Sequence, residues 1–500
     1  MRNLTACSNC RAIRKKCFRP GPGRPCDTCV RRHLSCSFKQ GSKPIATIAC
    51  RPATTTGSTK QTQVFDLSPE MVQELFENYV HYVLDRPHSL FHLPTLRTQV
   101  RDSSLKRGLL YAILAFGCRF HPQERLRSME SSLFAESKAF LHSEVGNVCL
   151  ENIQTCVLLA NLSSSAMDSK SEALYISIGI RMAELLGFDT PNPEDSPILR
   201  ETKRRVWWTL YMADRWCSAG CNLRRAMGDF DQALGLPIDE YVFHRLDGDP
   251  ADSDLVRQAS PGLWAYNIML AEQFGPIHDL NKQLVQDELT DDFVEQRVAV
   301  LAENLRLWQA GLPDDKRMSD ENVHCHARKG LGGPFMALHT GFHHYSTLLF
   351  FQFLDIDRPK TNKSKEYAEL CKQHAASQSR LIKLSREIPD CEIIYGGVGY
   401  GAVISSAVLL HMLMFGDGHD AAEIRAMLQS NFEAITELER YWPSLSNWKK
   451  RLHIFQETCL KPCELQTYKL DKWMVRFLLE HHLPLEDPGL ETASTGAPLV

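Results

Sequence analysis

Acid is almost missing from the first 43 residues, where Asp27 stands alone against eleven lysines and arginines. The rest of the 500-residue chain has the opposite bias, with 46 basic against 59 acidic side chains, and the whole carries a net charge of −3. Positive charge confined to so short a segment is the footprint of a polyanion-binding module rather than of an evenly solvated surface. Other absences narrow the choice. HExxH, GxSxG and GK[ST] phosphate-loop patterns are lacking, which removes the enzyme classes that depend on them. No apolar signal segment precedes Cys7, and the eleven cysteines beyond Cys36 are scattered, so a disulfide-stapled secreted framework is not expected. No apolar heptad pattern is sustained, so no coiled coil is predicted. Alternating strand patterns are also lacking, which points to a mostly α chain.

What the first 40 residues do contain is a duplicated cysteine spacing. Cys7, Cys10 and Cys17 follow the pattern CxxC, six residues, Cys, and Cys26, Cys29 and Cys36 repeat it. Zinc held by thiolates takes four ligands, so two ions need eight ligand positions. Six sulfurs supply eight positions only if two of them bridge, giving one binuclear cluster. Three disulfides would require an oxidising compartment. A zinc module that supports only protein contacts is the remaining alternative, and the basic residues threaded through the cluster weigh against it.

The segment CSNCRAIRKKCFRPGPGRPCDTCVRRHLSC resembles the DNA-binding domain of the fungal zinc binuclear cluster transcription factors. The resemblance implies two structural zinc ions bridged by Cys7 and Cys26, with Cys10 and Cys17 completing one site and Cys29 and Cys36 the other. It implies a short helix whose basic end reads CGG-type triplets. Arg11, Arg14, Lys15 and Lys16 fall on that end. Lys is usual in the family where this chain has Arg14, and Ile13 replaces an often basic neighbour. Arginine retains the bidentate donation to guanine O6 and N7 that major-groove reading requires. Arg31 and Arg32 are expected to bind phosphate and set register.

Residues 41–66, rich in Thr, Ser, Gly, Lys and Pro, read as a flexible linker. From 67 to 480 about a dozen amphipathic segments predict a large all-α regulatory domain, followed by an acidic tail at 481–500. Ser68 and Pro69 open the first helix, with Val72, Leu75, Phe76, Tyr79 and Val83 on one face. Four stretches resemble the family's middle regulatory region: HSLFHLPTLR, LLYAILAFGCRF, ALYISIGIRMAELLGFD and ETKRRVWWTLYMADR. In the last, Arg204, Arg205, Trp207, Trp208, Tyr211 and Asp214 occupy the family's recurring positions. The residues themselves favour packing over ligand binding: Trp207 and Tyr211, four apart, form a buried stripe, and the charges pair locally. His343 and His344 are likewise read as packing or surface residues.

Two stretches mimic other functions. Residues 393–416 contain no charged side chain and are long enough for a membrane span, but Gly, Ser405, Ser406 and His411 interrupt them, and no basic anchors flank them. Gly397, Gly399 and Ala402 form a GxGxxA pattern without the βαβ context of a dinucleotide site. Both predict a buried helix. Cys217 with Cys221, and Cys459 with Cys463, are read as helical packing pairs. The expectation is therefore a non-enzymatic, nuclear regulator of RNA polymerase II transcription. Its partners would be double-stranded DNA and the transcription machinery, without a membrane, and any homodimer would form without an evident coiled coil. Relatives often control metabolic gene clusters, secondary metabolism included.

Overall fold

The computed structural model describes Cys7, Cys10, residues 16–18 and 26–31, Cys36, and residues 67–460 apart from 87, 229–233, 250, 287–288, 356–360 and 417–419, with only the backbone at 285 and 455–460. The linker at 41–66 and the acidic tail at 481–500 lie outside the described residues. The chain divides into two units, Met1–Val64 and Phe65–Val500. The first holds a small cysteine cluster with one described helix, α1 (Asp27–Arg31). The second is all helical: among the described residues it has no strand, only two isolated bridges, Leu84 with His88 and Ile238 with Pro261.

Local chemistry starts the helices where the sequence pattern requires. At the head of α2 (Pro69–Tyr82), Ser68 Oγ accepts the Met71 N–H at 3.3 Å and Pro69 opens the first turn. Leu75, Phe76 and Tyr79 from its apolar face are buried. After α3 (Leu93–Arg101) come α4 (Arg107–Arg119) and α5 (Glu130–Glu144), then α6 (Leu150–Ser165) and α7 (Ser169–Leu185). Helix α8 (Pro197–Gly220) repeats the Ser-Pro start, with Ser196 Oγ accepting the Leu199 N–H at 3.2 Å. Helices α9 (Leu263–Gln286) and α10 (Asp291–Ala310) lead to α11 (Gly332–Phe350) and α12 (Asn362–Glu387). The described residues end with α13 (Gly396–Phe415), α14 (Ala421–Glu439) and α15 (Leu445–Leu460).

Sequence neighbours pack in pairs: α4 on α5, α6 on α7, α11 on α12 and α13 on α14. Helix α9 lies against both α8 and α11, so one continuous core joins the early and late pairs. Among the described residues, α13 is the one helix long and apolar enough to cross a membrane; its most apolar window is 72% buried inside the protein. It packs against α11, α12, α14 and α15. Its serines have a structural explanation, because Asn431 Nδ2 of α14 donates to Ser405 Oγ at 2.9 Å, Ser406 Oγ at 3.0 Å and Ser379 Oγ at 3.0 Å. A buried amide with three hydroxyl acceptors pins three helices in one register.

Among the described glycines, the closest approach to a neighbouring backbone is that of Gly117 in α4 to Leu75 in α2. A Cβ on Gly117 would fall 1.9 Å from Leu75 O, so hydrogen is the only substituent this contact admits. Gly117→Ala is expected to push the two backbones apart and lower stability by about 1–3 kcal/mol. Urea unfolding checks this, and an unchanged midpoint would contradict it.

Candidate metal centre and nucleic-acid interface

Each half of the cysteine cluster folds around backbone amides aimed at sulfur. The Cys7 N–H lies 3.4 Å from Cys17 Sγ, and the Cys26 N–H lies 3.3 Å from Cys36 Sγ. These two contacts relate the same positions of the repeated spacing, so the sequence duplication appears as a duplicated local structure. The Cys10 N–H also points at Cys7 Sγ, at 3.4 Å. The halves meet through the Asp27 N–H on Phe18 O at 3.1 Å and through Thr28 Oγ1, which donates to Lys16 O at 2.9 Å.

The sulfurs form two groups of four, Cys7 with Cys10, Cys17 and Cys26, and Cys7 with Cys26, Cys29 and Cys36; within each group they lie within 4.8 Å of one another. Cys7 and Cys26 belong to both. Their sulfurs are 3.7 Å apart, with Cys7 to Cys29 at 3.6 Å and Cys10 to Cys26 at 3.5 Å. A tetrahedron with metal–sulfur bonds of about 2.3 Å has edges of about 3.8 Å, so the donor set fits zinc in both size and softness. Cys17 is half-buried and the other five cysteines are buried. The environment splits their acidities: the Cys29 backbone N–H pulls the Cys26 thiol down to about 6, whereas burial pushes Cys10 up to about 12.

Of the expected DNA-contacting residues, Lys16 and Arg31 are described and both are exposed. Lys16 Nζ stands 5.9 Å from the centroid of the exposed Phe18 ring. Arg31 occupies the last turn of α1, whose inward residue is Cys29. Arg11, Arg14, Lys15 and Arg32 lie outside the described residues. Thr28 was not singled out by the spacing. Its hydroxyl fixes the backbone at Lys16, and its place one residue before the second CxxC closes was the available signal.

In the helical unit, α8 brings the regulatory motif together as internal braces. Arg205 is buried, with its Nε 3.0 Å from Glu201, Nη1 2.9 Å from Ser89 Oγ, Nη2 2.6 Å from Ile238 O, and its guanidinium 4.3 Å from the Phe243 ring centroid. Arg204 pairs with Glu201 at 2.5 Å and reaches Leu234 O at 3.3 Å. Asp214 accepts the Ala226 and Met227 N–H groups, both at 2.9 Å. Trp208 donates to Gly235 O at 2.8 Å and meets Tyr211 edge to face, with centroids 5.2 Å apart. The buried aromatic pair is thus Trp208 and Tyr211, three residues apart, while Trp207 is half-buried; the helix is rotated by one position from the Trp207–Tyr211 stripe expected from sequence. The charges do pair locally through Glu201, yet Arg205 also reaches residues that sequence spacing could not connect to it. At the end of α8, Cys217 and Cys221 stand with Glu172 of α7 in a third close group. His343 is half-buried and packs as expected: its Nδ1 lies 2.9 Å from His374 Nδ1, and burial pushes it down to about 3.

Residues 73–271 match the fungal specific transcription factor domain. Relatives include an uncharacterised transcriptional regulatory protein of Schizosaccharomyces pombe, 23% identical over 76% of this chain and 51% of its own length. A Zn(2)-C6 fungal-type transcription factor of Fusarium oxysporum is 20% identical over 75% of this chain and 44% of its own. Activator of stress genes 1 of Saccharomyces cerevisiae is 24% identical over 50% and 26%. The chain thus spans about half the length, or less, of these relatives. No solved structure matches it significantly. Arg205→Ala would leave Glu201 with Arg204 as its remaining cation and the buried Ile238 carbonyl without this donor, and is expected to lower stability by about 1–3 kcal/mol. Arg205→Lys should rescue little, since one ammonium cannot span these partners. Chemical denaturation of both variants is the check, and full rescue by lysine would refute the bracing role.

Proposed function

We propose that this chain, which carries a fungal specific transcription factor domain behind a six-cysteine cluster resembling those of the fungal zinc cluster factors, is a sequence-specific DNA-binding regulator of RNA polymerase II transcription acting in the nucleus. The observation that carries the reading is the pair of four-sulfur groups sharing Cys7 and Cys26, set in the most basic segment of the chain. The metal is structural: two zinc ions, bridged by those two sulfurs, substitute for the hydrophobic core that so short a segment cannot build. Cys10 and Cys17 complete one site, and Cys29 and Cys36 the other.

The protein's own residues then divide the DNA work. The basic stretch Arg11, Arg14, Lys15 and Lys16 enters the major groove, where Arg14 donates two hydrogen bonds to a guanine of a CGG-type triplet. Arg31 and Arg32 bind phosphates and fix register without reading sequence. Thr28 ties the Lys16 carbonyl to α1 and so couples the reading stretch to the phosphate-binding half. The remainder of the chain, acidic overall, does not compete for the polyanion.

Selection of duplexes from a random pool by the zinc-loaded chain, with a chelated control, tests this reading. Metal-dependent enrichment of CGG triplets supports it. Two bound zincs without enrichment would instead assign the cluster to protein contacts. Arg14→Ala is expected to cost about 1–3 kcal/mol on the selected site and less on random duplex, measured by anisotropy. Arg31→Ala should weaken all duplexes alike and reduce the salt slope by about 1. Cys26→Ala should release both zincs together, read by elemental analysis; one ion retained at full occupancy would refute the bridge.

A further inference from the structure

Within the helical unit, α6, α8, α9, α11, α12 and α13 enclose a cavity of about 240 Å³ that none of the preceding interactions fills. Its wall is aromatic, built from Trp216, Trp264, Tyr345, Tyr400, Trp442 and Trp448. Several of these rings are held by hydrogen bonds of their own, Trp216 Nε1 to Tyr345 Oη at 2.8 Å and Trp442 Nε1 to Ile394 O at 2.6 Å. The space is therefore preformed rather than a gap into which loose side chains could fall.

Three charged residues of the wall are already engaged. Asp85 receives His244 at 2.7 Å and Ser89 at 2.6 Å, Arg86 donates to His81 O and Gly330 O, and Glu240 accepts the Leu263 and Trp264 N–H groups. Among the polar groups of the wall without a hydrogen-bond partner among the described residues are both His88 nitrogens, Trp264 Nε1 and one corner where two side chains meet. Gln378 is fully buried, and neither its Oε1 nor its Nε2 has a hydrogen-bond partner among the described residues; the same holds for His344 Nδ1. Burial pushes His344 down to about 4, so the corner is uncharged at neutral pH. Gly401 lies between these groups: a Cβ there would stand 2.4 Å from Gln378 Nε2 and 3.7 Å from His344 Nδ1. Buried polar groups are nearly always satisfied, and a fully buried amide that is unpaired at both ends is a feature an apolar residue would have avoided.

We propose that this cavity is the binding site of a neutral, ring-bearing small molecule with a carboxamide-like group, its rings stacked among the tryptophans and tyrosines and its amide paired with Gln378 and His344 over Gly401. An amide supplies the donor and the acceptor that Gln378 lacks, whereas an anion at that corner would meet only the neutral Gln378 and His344 side chains. Binding at this site does not depend on DNA reading. It joins the segment matched to the transcription factor domain, through α6, α8 and α9, to the later helices α11, α12 and α13.

Calorimetric titration of the full zinc-loaded chain with 2-naphthamide tests the proposal, with 2-naphthoate as the charged analogue on the same rings. One saturable site for the amide is expected, with the carboxylate at least about ten-fold weaker. Gln378→Met, which keeps the shape and removes both amide atoms, should weaken the amide by at least about ten-fold while leaving the unliganded Tm equal or higher. Gly341→Leu, whose Cβ meets only Leu270 Cδ2 at 3.5 Å, fills the cavity from α11 and should weaken both probes. No saturable binding of 2-naphthamide at millimolar concentration, equal affinity in Gln378→Met, or a lowered unliganded Tm in that variant would each overturn the proposal.

Discussion

A guanidinium sealed from water organises the first half of the helical unit. Arg205 is 1% exposed, and a charge at that depth persists only where oppositely charged and hydrogen-bonding groups surround it. Glu201, one turn back on α8, supplies the charge; Ser89 and the Ile238 carbonyl supply the geometry; Phe243 covers the face. Two chain segments far apart in sequence, one at Ser89 and one at 238–243, are thereby fixed to one helix. The consequence extends further. Glu201 Oε1 also accepts the Ile238 N–H at 3.0 Å, which sets the approach to Glu240, and Glu240 in turn caps the start of α9 through the Leu263 and Trp264 N–H groups. Burial lifts the Glu240 carboxyl above its usual range, with Arg205 opposing it. One ion network thus positions α9, and with it Trp264, on the wall of the aromatic cavity.

The N-terminal unit solves the opposite problem, stability without a core. Its described interior consists of cysteines, so the repeated spacing has to do what apolar burial does elsewhere. Pairing of Cys7 with Cys17 and of Cys26 with Cys36 through backbone amides gives each half the same local form, and the shared Cys7–Cys26 edge joins the halves. A tetrahedral cation fits that arrangement because six soft donors converge at the edge length its bonds demand. Basic residues can crowd around such a centre because the thiolates they surround are themselves anionic when metal is bound.

Much of this was legible in sequence, and the parts that were not share a cause. The cysteine duplication, the charge asymmetry and the helical periodicity are local patterns, and local patterns survive without tertiary information. The Ser68–Pro69 start and the Leu75, Phe76 and Tyr79 face follow from them directly. Which Trp of α8 turns inward does not, because Trp207 and Trp208 are equally apolar and only the distant Gly235 carbonyl selects Trp208 as a donor. The reach of Arg205 to Ser89 and Ile238 was likewise hidden, since loops bring those partners together. Gln378 gave no sign at all: one glutamine on a polar helix becomes informative only when both of its amide atoms are found buried.

The glycines of α13 show how a pattern can be read correctly for its fold and remain unexplained for its cause. A GxGxxA run serves a dinucleotide when a strand leads into it and a phosphate must approach the backbone. Here a helix begins at Gly396, and what approaches the backbone is protein. A Cβ on Gly399 would fall 2.4 Å from Leu445 Cδ2, and one on Gly401 equally close to the amide of Gln378. Gly399 therefore lets α15 close against α13, while Gly401 keeps the polar corner open where Trp448 and Tyr400 wall the cavity. Ser405, Ser406 and Asn431 then hold α13 in the one register that places Gly401 beside Gln378. Small residues early in the helix and hydroxyls later are two requirements of a single packing problem.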